Sequence, residues 1–467
     1  MSRLVTLAAV AALGCGDNLP PDPLYAMVQV TDASPFPDGC GMAGPGTSFP
    51  GVEVQPQLAV DPKKPRHLVG AWQQDRWSSG GARGIGAAAS TDGGATWTIS
   101  YPHVGPCAGG SKGAASYARA TTPWVAFAAD GTAWLSALAF DTDRPRSAVV
   151  AARSTDGGKT WPEPTILRSD DDADVFNDRQ TLTADPTDAN RLYVVWDRMT
   201  GLGRGDTAAV SSAIWLARRD SGAWQTPRAI YDPGANHECL GPVLGALADG
   251  TLVVAFDEIA NLAADAPDNT LSLITSHDGG TTWSAVQRLW TMHGAGVTDP
   301  DGAAIRTGTG LPSLAIDPGS GAIALTWEDQ TNKAVEAVLI MRSTDSGATW
   351  SAPKLVNGNH AVPAFTPTVA IAADGTLGVS YYDLRDATDP ADFRATAWLA
   401  TSRDAGATWT DAALGLPFPL APARLADAYY LGDSQGLAVS GTAFVPLFAG
   451  THKRADERTD VFVRAAP

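Results

Sequence analysis

An eight-residue string, Ser-Thr-Asp-Gly-Gly-Ala-Thr-Trp at Ser90–Trp97, recurs along the chain and constrains its fold more than any other feature. Related strings stand at Ser154–Trp161, Ser276–Trp283, Ser343–Trp350 and Ser402–Trp409. A weakened copy occupies Arg219–Trp224, so the period is about 60 residues throughout. That spacing is too long for a helical solenoid repeat, and it suits a unit of four β-strands.

Each string is typical of a tight hairpin turn. The Asp carboxylate can accept hydrogen bonds from amides of the turn, while glycine adopts the positive φ that branched residues resist. We therefore interpret the repeated aspartates as turn residues rather than catalytic acids, and we expect the tryptophan rings to pack between neighbouring units. These aspartates are Asp92, Asp156, Asp278, Asp345 and Asp404.

The composition also indicates an all-β fold. The 467 residues include 48 Gly, 33 Pro and 15 Trp, and only 18% are charged, which is a turn-rich and aromatic-rich profile without a long helical apolar period. Because the repeats run almost end to end, we predict a single β-propeller over residues 51–467. The unit count predicts about seven four-stranded blades, with six as the alternative.

The first 15 residues resemble a bacterial lipoprotein signal. Arg3 precedes the apolar run Leu4–Leu13, and Cys15 follows as the residue to be lipidated. An ordinary signal peptide cut nearby is the alternative, and either one predicts an extracytoplasmic protein of the bacterial envelope or a secreted one. Nothing downstream approaches the ~20 consecutive apolar residues of a membrane span, so we expect membrane attachment through lipid alone.

The formal net charge of −17 disfavours nonspecific binding to nucleic acid, because such binding needs a basic surface that displaces counterions. It does not exclude an anionic sugar held by a local group of arginines. We expect a monomer whose partner is a glycan or polysaccharide.

The cysteines that follow Cys15 lie in a compartment where disulfides persist. They are Cys40, Cys107 and Cys239. We predict a bond between Cys40 and Cys107, because both lie in Gly-rich loops that flank the first repeat, although sequence alone does not determine the pairing. The spacing of these cysteines does not match a zinc site, so we predict no metal site and no cofactor.

Residues 16–50 are rich in Pro, Gly and Asp and are predicted to be a spacer, apart from the alternating stretch Tyr25–Thr31. The last unit, by contrast, has candidate strands at Gly436–Ser440, Ala443–Phe448 and Asp460–Val463 and then no box. A toroid cannot leave a sheet edge open. We therefore predict that Tyr25–Thr31 completes the last blade beside Asp460–Val463.

Strand alternation places the loops between second and third strands, and the loops between units, on the face opposite the repeated turns. The polar and aromatic candidates in those loops are Asp75, Arg76, Trp77, Arg179, Arg198, His237, Glu258, Glu328, Tyr382, Arg385 and Tyr429. Alternatively, the acidic and basic neighbours pair with each other to hold loops together, and His237 is an ordinary surface hydrogen-bonding group. The period indicates core packing for Trp72, Trp196 and Trp327, whereas Trp77 breaks the period and is a candidate for ligand contact.

The consensus Ser-x-Asp-x-Gly-x-Thr-Trp is the Asp box, and from about residue 50 onward the chain resembles the sialidase-like β-propellers with bacterial neuraminidase repeats. The resemblance implies an arginine clamp for a sugar carboxylate, a tyrosine nucleophile activated by glutamate, and an aspartic acid/base. The clamp candidates are Arg76, Arg179, Arg198 and Arg385. The nucleophile pair would be Tyr382 or Tyr429 with Glu258 or Glu328, and the acid would be Asp75. The chain departs from the family pattern at Val54–Leu58, which occupies the place of the Arg-Ile-Pro signature and contains no arginine.

These observations leave three functional hypotheses. The first is an exo-sialidase or related glycoside hydrolase that recognises glycans on the loop face. The second is a non-catalytic propeller that binds a glycan or protein. The third is a glycosidase whose Asp or Glu pair acts on a neutral or uronic polymer. The acidic run Asp170–Asp172 with Asp174 adds the hypothesis of a structural calcium ion, although a solvated acidic loop explains the run better because the EF-hand spacing is absent.

Overall fold

The computed structural model of the chain describes residues 27–41, 44–109, 112–264, 267–317, 319–330, 335–425, 427–451 and 458–465. These residues form strands, turns and short 3-10 helices, so the predicted all-β class is confirmed. Within these ranges no helix is long and apolar enough to cross a lipid bilayer.

The strands follow one another along nearly the whole described chain. In chain order they are β1 (Met27–Gln29), β2 (Glu53–Asp61), β3 (Lys64–Arg76), β4 (Ala82–Ser90), β5 (Thr98–Ser100), β6 (Arg119–Phe127), β7 (Ala133–Phe140), β8 (Arg146–Ser154), β9 (Thr165–Asp171), β10 (Val175–Ala184), β11 (Leu192–Thr200), β12 (Ser211–Asp220), β13 (Ala223–Trp224), β14 (Arg228–Tyr231), β15 (His237–Ala246), β16 (Leu252–Ala260), β17 (Asp268–Ser276), β18 (Gln287–Thr291), β19 (Val297–Thr298), β20 (Ala304–Arg306), β21 (Ser313–Ile316), β22 (Ile323–Asp329), β23 (Ala337–Ser343), β24 (Lys354–Leu355), β25 (Ala364–Ile371), β26 (Leu377–Asp383), β27 (Arg394–Ser402), β28 (Thr410–Ala413), β29 (Phe418–Pro419), β30 (Arg424–Leu425), β31 (Ala428–Tyr430), β32 (Gly436–Ser440), β33 (Ala443–Thr451) and β34 (Thr459–Arg464). The 3-10 helices are Gly113–Ser116, Leu202–Arg204, Thr207–Ala209, Pro390–Asp392 and Ala421–Ala423.

Most of the strands form antiparallel meanders in which each strand pairs with the next one along the chain. The meanders are β2–β5, β6–β9, β10–β14, β15–β18, β21–β24 and β25–β29. The first strand of each meander contacts the first strand of the next, and this succession runs through β2, β6, β10, β15, β21, β25 and β32 before it returns to β2. The meanders therefore surround one axis, as in a β-propeller.

The last meander, β32–β34, is completed by β1 from the opposite end of the chain, because β1 pairs antiparallel with β34. The Asp460 carboxylate, which is buried, accepts hydrogen bonds from Gln29 Nε2 at 2.9 Å and from Thr31 Oγ1 at 2.7 Å. The predicted closure by Tyr25–Thr31 is thus confirmed for its described residues, while Tyr25 and Ala26 lie outside them.

The hydrophobic core lies between successive meanders. Trp72, Trp196 and Trp327 are all fully buried, which confirms the packing role predicted from their period. Trp72, for example, packs in one cluster with Leu447 of the neighbouring meander. Its ring leaves no room for a Cβ at Gly86, so only glycine fits there.

The repeated turns lie at one end of the propeller, which we call the box face. In the first of them, Ser90 Oγ donates to Asp92 Oδ1 at 2.8 Å and accepts from the Gly94 amide at 2.9 Å. The Thr96 amide and hydroxyl both donate to the Asp92 carboxylate, at 2.9 and 2.6 Å. These hydrogen bonds lower the pKa of Asp92 to about 2. The carboxylate is therefore satisfied within its own turn.

The segment that follows β1 is fastened to the first meander. The predicted disulfide between Cys40 and Cys107 is confirmed. Arg83 donates to the Cys40 carbonyl at 2.8 Å and to Asp75 Oδ2 at 2.9 Å, and both of these charged side chains are almost completely buried. Cys239 is a free, buried thiol.

Candidate functional site

The end of the propeller opposite the box face is shaped by β-bulges in the innermost strands. Gln55, Thr122, Arg179 and Thr366 all have a positive φ, between 47° and 57°, and each lies at an interruption of the register of its strand with the next. A bulge bends the strand and re-aims the side chain at the extra residue. Three of the four precede a proline, which lacks the amide that a continuous ladder needs.

A cavity of about 70 Å³ runs along the axis below these bulges, and its lining includes Gln55, Trp124 and Gln435. Above it opens a cleft of about 210 Å³ that shares Thr122, Arg179 and Asp433 with the axial cavity. We call this opening the arginine cleft. Its lining is Arg76, Ser79, Gly80, Gly81, Thr121, Thr122, Leu138, Phe140, Phe176, Asp178, Arg179, Arg306, Tyr430 and Asp433.

Asp433 is the centre of an ion-pair network in the arginine cleft. Arg306 donates to it through two parallel hydrogen bonds, Nε to Oδ1 and Nη2 to Oδ2, each 3.0 Å long. Arg179 Nη1 donates to Oδ2 at 3.1 Å. The Asp433 side chain is only 6% exposed. Although burial alone would raise it, the pKa of Asp433 is lowered overall because Arg179 and Arg306 stabilise the carboxylate.

Tyr430 lies between two guanidinium groups. The Arg76 Cζ is 4.5 Å from the centroid of its ring and the Arg306 Cζ is 5.1 Å from it. The parallel pairing of β20 with β31 brings Arg306 opposite Tyr430. The Tyr430 hydroxyl donates to Gln55 Oε1 at 3.1 Å, so no carboxylate accepts its proton. Burial raises the pKa of Tyr430, and the charge of Asp433 adds to this effect.

One wall of the arginine cleft is apolar. Phe140 and Phe176 meet edge to face, with their centroids 5.8 Å apart, and Leu138 lies beside them. An aromatic wall opposite charged groups suits a ligand that has both apolar and hydroxylated faces.

Carboxyl groups adjoin the cleft on the side of β10 and β15. Asp178 lines the cleft with its side chain 32% exposed, and it accepts a hydrogen bond from the Arg179 amide at 2.9 Å. Burial raises the pKa of Glu238, and the nearby charge of Asp178 raises it further. Asp197 is fully buried, and its Oδ2 has no hydrogen-bond partner among the described residues. A partly exposed carboxylate in the cleft thus has a neighbouring carboxyl group, Glu238, whose protonated form is favoured by burial.

Of the sequence-predicted candidates, the structure brings two arginines, Arg76 and Arg179, to the arginine cleft. The other two predicted clamp arginines are paired elsewhere. Arg198 donates to both oxygens of Asp170, at 3.1 and 2.9 Å. Arg385 donates to Asp383 at 2.5 Å and to Asp411 at 3.1 Å. Of the four clamp candidates, Arg198 therefore joins two neighbouring meanders and Arg385 joins strands of its own meander, and neither lies in the arginine cleft.

The predicted tyrosines are also placed elsewhere. Tyr382 is 1% exposed, and its hydroxyl donates to the Ala449 carbonyl at 2.7 Å. The Tyr429 hydroxyl donates to Asp299 Oδ2 at 2.8 Å inside a hydrophobic cluster. Successive residues of a strand point to opposite faces, so Tyr430 rather than Tyr429 lies at the cleft. The assignment of a nucleophile to Tyr382 or Tyr429 is corrected for this reason.

The predicted glutamates are engaged in hydrogen bonds away from the cleft lining. Glu258 accepts from the Tyr231 hydroxyl and from Arg288, both at 2.7 Å, which makes a Tyr–Glu pair at a boundary between meanders. Glu328 is 1% exposed and accepts from Thr307, Thr309 and the Thr366 amide at 2.6, 2.9 and 2.7 Å. Neither carboxylate faces the arginine cleft.

The remaining candidates have structural contacts. Asp75 is completely buried and accepts from Arg83, so it does not face a ligand. Trp77 is 2% exposed beneath the Arg119 guanidinium, 3.6 Å from its ring centroid, which corrects its assignment to ligand contact. His237 lies at the start of β15, where its Nδ1 contacts the Ala235 carbonyl at 3.0 Å. Cys15, the predicted lipidation site, lies outside the described residues.

The acidic run does not form a cation site in the described part of the chain. Asp170 is held by Arg168 at 2.5 Å as well as by Arg198. Asp174 accepts from the Gly203 amide at 3.2 Å. Among the described residues no three His, Cys, Asp or Glu side chains are grouped as metal ligands. The calcium hypothesis therefore has no support from this arrangement.

Sequence reasoning missed Arg306 and Asp433, and it placed Asp178, Glu238 and Tyr430 in the loops of this face without choosing them as site residues. Arg306 lies in the small sheet of β19, β20, β30 and β31, which falls outside the period. A signal for the innermost strands was present, because proline recurs at Pro56, Pro123, Pro242, Pro312 and Pro367 in corresponding places. Reading that recurrence as bulges would have located the mouth of the axial cavity.

No protein-family profile matches this chain. A curated xyloglucanase from a Paenibacillus species is 27% identical over 258 residues, which are 53% of this chain and 22% of that enzyme. The chain thus spans about a fifth of the length of this relative.

Three solved structures are similar in fold. The Penicillium chrysogenum α-L-arabinanase complexed with arabinobiose is 16% identical, covers 74% of this chain and 92% of its own, and has a TM-score of 0.45. A Hadza microbial sialidase is 16% identical, with coverages of 85% and 76% and a TM-score of 0.45. The Trypanosoma rangeli sialidase in complex with sialic acid is 13% identical, with coverages of 79% and 55% and a TM-score of 0.44. The closed ring of antiparallel meanders gives this chain a β-propeller fold.

Proposed function

We propose that the chain is an extracytoplasmic glycoside hydrolase built on a seven-bladed propeller with Asp-box turns, and that the arginine cleft is its saccharide site. The closed succession of β2, β6, β10, β15, β21, β25 and β32 supports seven blades over six. The Cys40–Cys107 disulfide supports an oxidising compartment, and lipidation at Cys15 belongs to the same proposal.

The observation that carries the proposal is the convergence of distant residues on one cleft at the axis. Arg76, Arg179, Arg306 and Tyr430 come from separate parts of the chain and meet opposite the apolar wall of Phe140 and Phe176. Concave sites with an apolar wall and a few convergent polar groups are typical of ligand sites. The similarity to a xyloglucanase over half of the chain supports a glycan as the ligand.

The catalytic groups of this proposal are Asp178 and Glu238. Glu238 has a raised pKa and would donate a proton to the leaving glycosidic oxygen. Asp178 is partly exposed in the cleft and would supply the carboxylate that acts at the anomeric carbon, directly or through water. The glycosidic C–O bond breaks, water supplies the new hydroxyl, and its remaining proton restores Glu238 at the end of the cycle.

An exo-sialidase is the narrower form of this proposal, and the geometry does not favour it. Asp433 already occupies two of the three arginines that would clamp a sugar carboxylate. The Tyr430 hydroxyl donates to Gln55 and not to a glutamate. A glycosidase with a carboxyl pair fits the cleft better than one with a tyrosine nucleophile.

The test is turnover of a panel of chromogenic neutral, uronic and sialic glycosides and of the corresponding oligosaccharides. Glu238→Gln and Asp178→Asn should each reduce turnover of the best substrate about 100-fold or more, without a matching loss of thermal stability. Glu163→Gln is the matched control, because this exposed carboxylate pairs with His103 and is not part of the cleft lining. Full activity in both cleft variants would contradict the assigned roles.

A non-catalytic glycan-binding propeller is the second candidate. The ion pairs of Asp433 favour this function, because they neutralise Arg179 and Arg306 and so leave neither charge directed at a scissile bond. Saturable oligosaccharide binding by the wild-type chain with no turnover across the panel would select this function over hydrolysis.

A further inference from the structure

The arginine cleft has the parts of a carboxylate clamp, but a carboxylate of the chain itself already lies in it. Both Asp433 oxygens are used, since Arg306 binds the two in parallel and Arg179 binds Oδ2. Paired parallel hydrogen bonds of this kind are the geometry by which arginine recognises a ligand carboxylate. In this cleft they are formed within the chain.

An external carboxylate would have to displace a tethered one. Asp433 is held next to the two arginines by its own backbone, so its effective concentration greatly exceeds that of a dissolved acid. Its side chain is 6% exposed, whereas that of Arg306 is 48% exposed. A ligand can therefore reach the outer side of Arg306 without reaching the N–H groups that Asp433 occupies.

The third arginine does not provide a substitute clamp. Arg76 is 5% exposed, stacks on the Tyr430 ring and donates through Nη1 to Gln73 Oε1 at 2.6 Å. What remains for a ligand is the outer side of Arg306, the wall of Phe140 and Phe176, and the partly exposed carboxylate of Asp178. An aromatic face and a hydrogen-bond acceptor suit an uncharged sugar ring, and the acceptor repels an acidic one.

We propose that Asp433 is a specificity-determining residue that closes the arginine cleft to external carboxylates, so that the saccharide bound there is uncharged. The substrate class in this statement rests on the proposed function, whereas the closure of the cleft does not. Removal of the Asp433 carboxylate opens the fork formed by Arg179 and Arg306, and the cleft then accepts a free carboxylate or an acidic sugar.

The first experiment measures closure alone. Thermal unfolding of the wild-type chain and of Asp433→Ala is followed against increasing sodium acetate, with sodium chloride at equal ionic strength as the reference. Acetate should stabilise Asp433→Ala saturably and leave the wild-type chain unchanged. Asp178→Asn is the matched control, because it removes one negative charge from the same cleft but leaves the fork occupied. An equal gain in Asp178→Asn and Asp433→Ala would overturn the proposal.

Asp433→Ser is a second variant in case the alanine variant does not fold, because its hydroxyl keeps one polar contact with an arginine and leaves room for a carboxylate. The same acetate-dependent gain is expected, and its absence in a folded Asp433→Ser variant would contradict closure.

The second experiment measures ligand class with the neutral and uronic oligosaccharides of the panel. The wild-type chain should bind the neutral ones, and Asp433→Ala should bind the uronic ones at least about tenfold more tightly than the wild type does. Wild-type binding of uronic and neutral oligosaccharides with equal affinity would overturn the inference. If no variant binds any saccharide, an acetate response confined to Asp433→Ala still upholds closure, and the proposed function fails.

Discussion

The two ends of the propeller use aspartate in opposite ways. At the box face Asp92 is only half-buried, and its partners lie within four positions along the chain. At the cleft end Asp433 is buried, and its partners are 127 and 254 positions away. Local partners produce a repeat that is visible in the sequence, whereas distant partners leave no such pattern. The visible motif therefore marks the scaffold, and the unrepeated residues form the candidate site.

The largest loss of stability is expected at Asp75, a buried carboxylate near the cleft end. Asp75→Ala leaves the Arg83 guanidinium buried without its anionic partner, so we expect a loss of about 4 kcal/mol in the free energy of unfolding. The measurement is equilibrium urea unfolding. As a control, Asp392→Ala removes a surface partner of Arg394 and should cost less than about 1 kcal/mol. Equal losses would show that burial does not separate the two classes of carboxylate.

The pH dependence of stability tests the comparison at Asp257, which is a buried carboxylate. It accepts hydrogen bonds from Asn269 and Thr270 rather than from an arginine. Burial raises its pKa from the ordinary 3.8 to about 8, and Asn269 and Thr270 only partly oppose this. Its contribution to stability is complete below about pH 4 and is lost as the pH rises toward 8. At pH 8 the free energy of unfolding of Asp257→Asn should therefore exceed that of the wild type by on the order of 1 kcal/mol. At pH 5 this advantage of the variant should be smaller.

Urea unfolding at the two pH values measures this difference. Asp392→Asn, which changes an exposed carboxylate, should show no comparable change with pH. A difference between Asp257→Asn and the wild type that stays constant from pH 5 to pH 8 would contradict the prediction.

The smallest effect is expected at the box face. Asp92→Asn keeps an acceptor oxygen for the Thr96 amide but loses the charge, so we expect a loss below about 1 kcal/mol at pH 7. The Thr96 hydrogen bonds hold the pKa of Asp92 at about 2, below its ordinary 3.8. The stabilisation is thus present above about pH 4 and lost as the pH falls toward 2. Thermal unfolding of both proteins at pH 7 and pH 2.5 should show the difference shrinking at the lower pH.

The sequence predicted the all-β class, the closing strand and the Cys40–Cys107 bond, because each depends on local alternation, turn chemistry or proximity to one repeat. It did not predict the cleft. The choice between Tyr429 and Tyr430 depends on which face of a short strand points inward, and Asp433 acquires its partners only when the ring closes. Strand register and ring closure are tertiary properties, so neither can be obtained from residue spacing.

The pairing of β1 with β34 has a consequence for the time course of synthesis. Residues 27–29 leave the ribosome more than 400 residues before their partners at 462–464. At a translation rate of about 5–20 residues per second, β1 stays without its sheet for tens of seconds or longer. During this interval β34 has not been made, and an unpaired strand such as β1 is open to pairing with another chain. Closure of the ring therefore waits for the synthesis of β34.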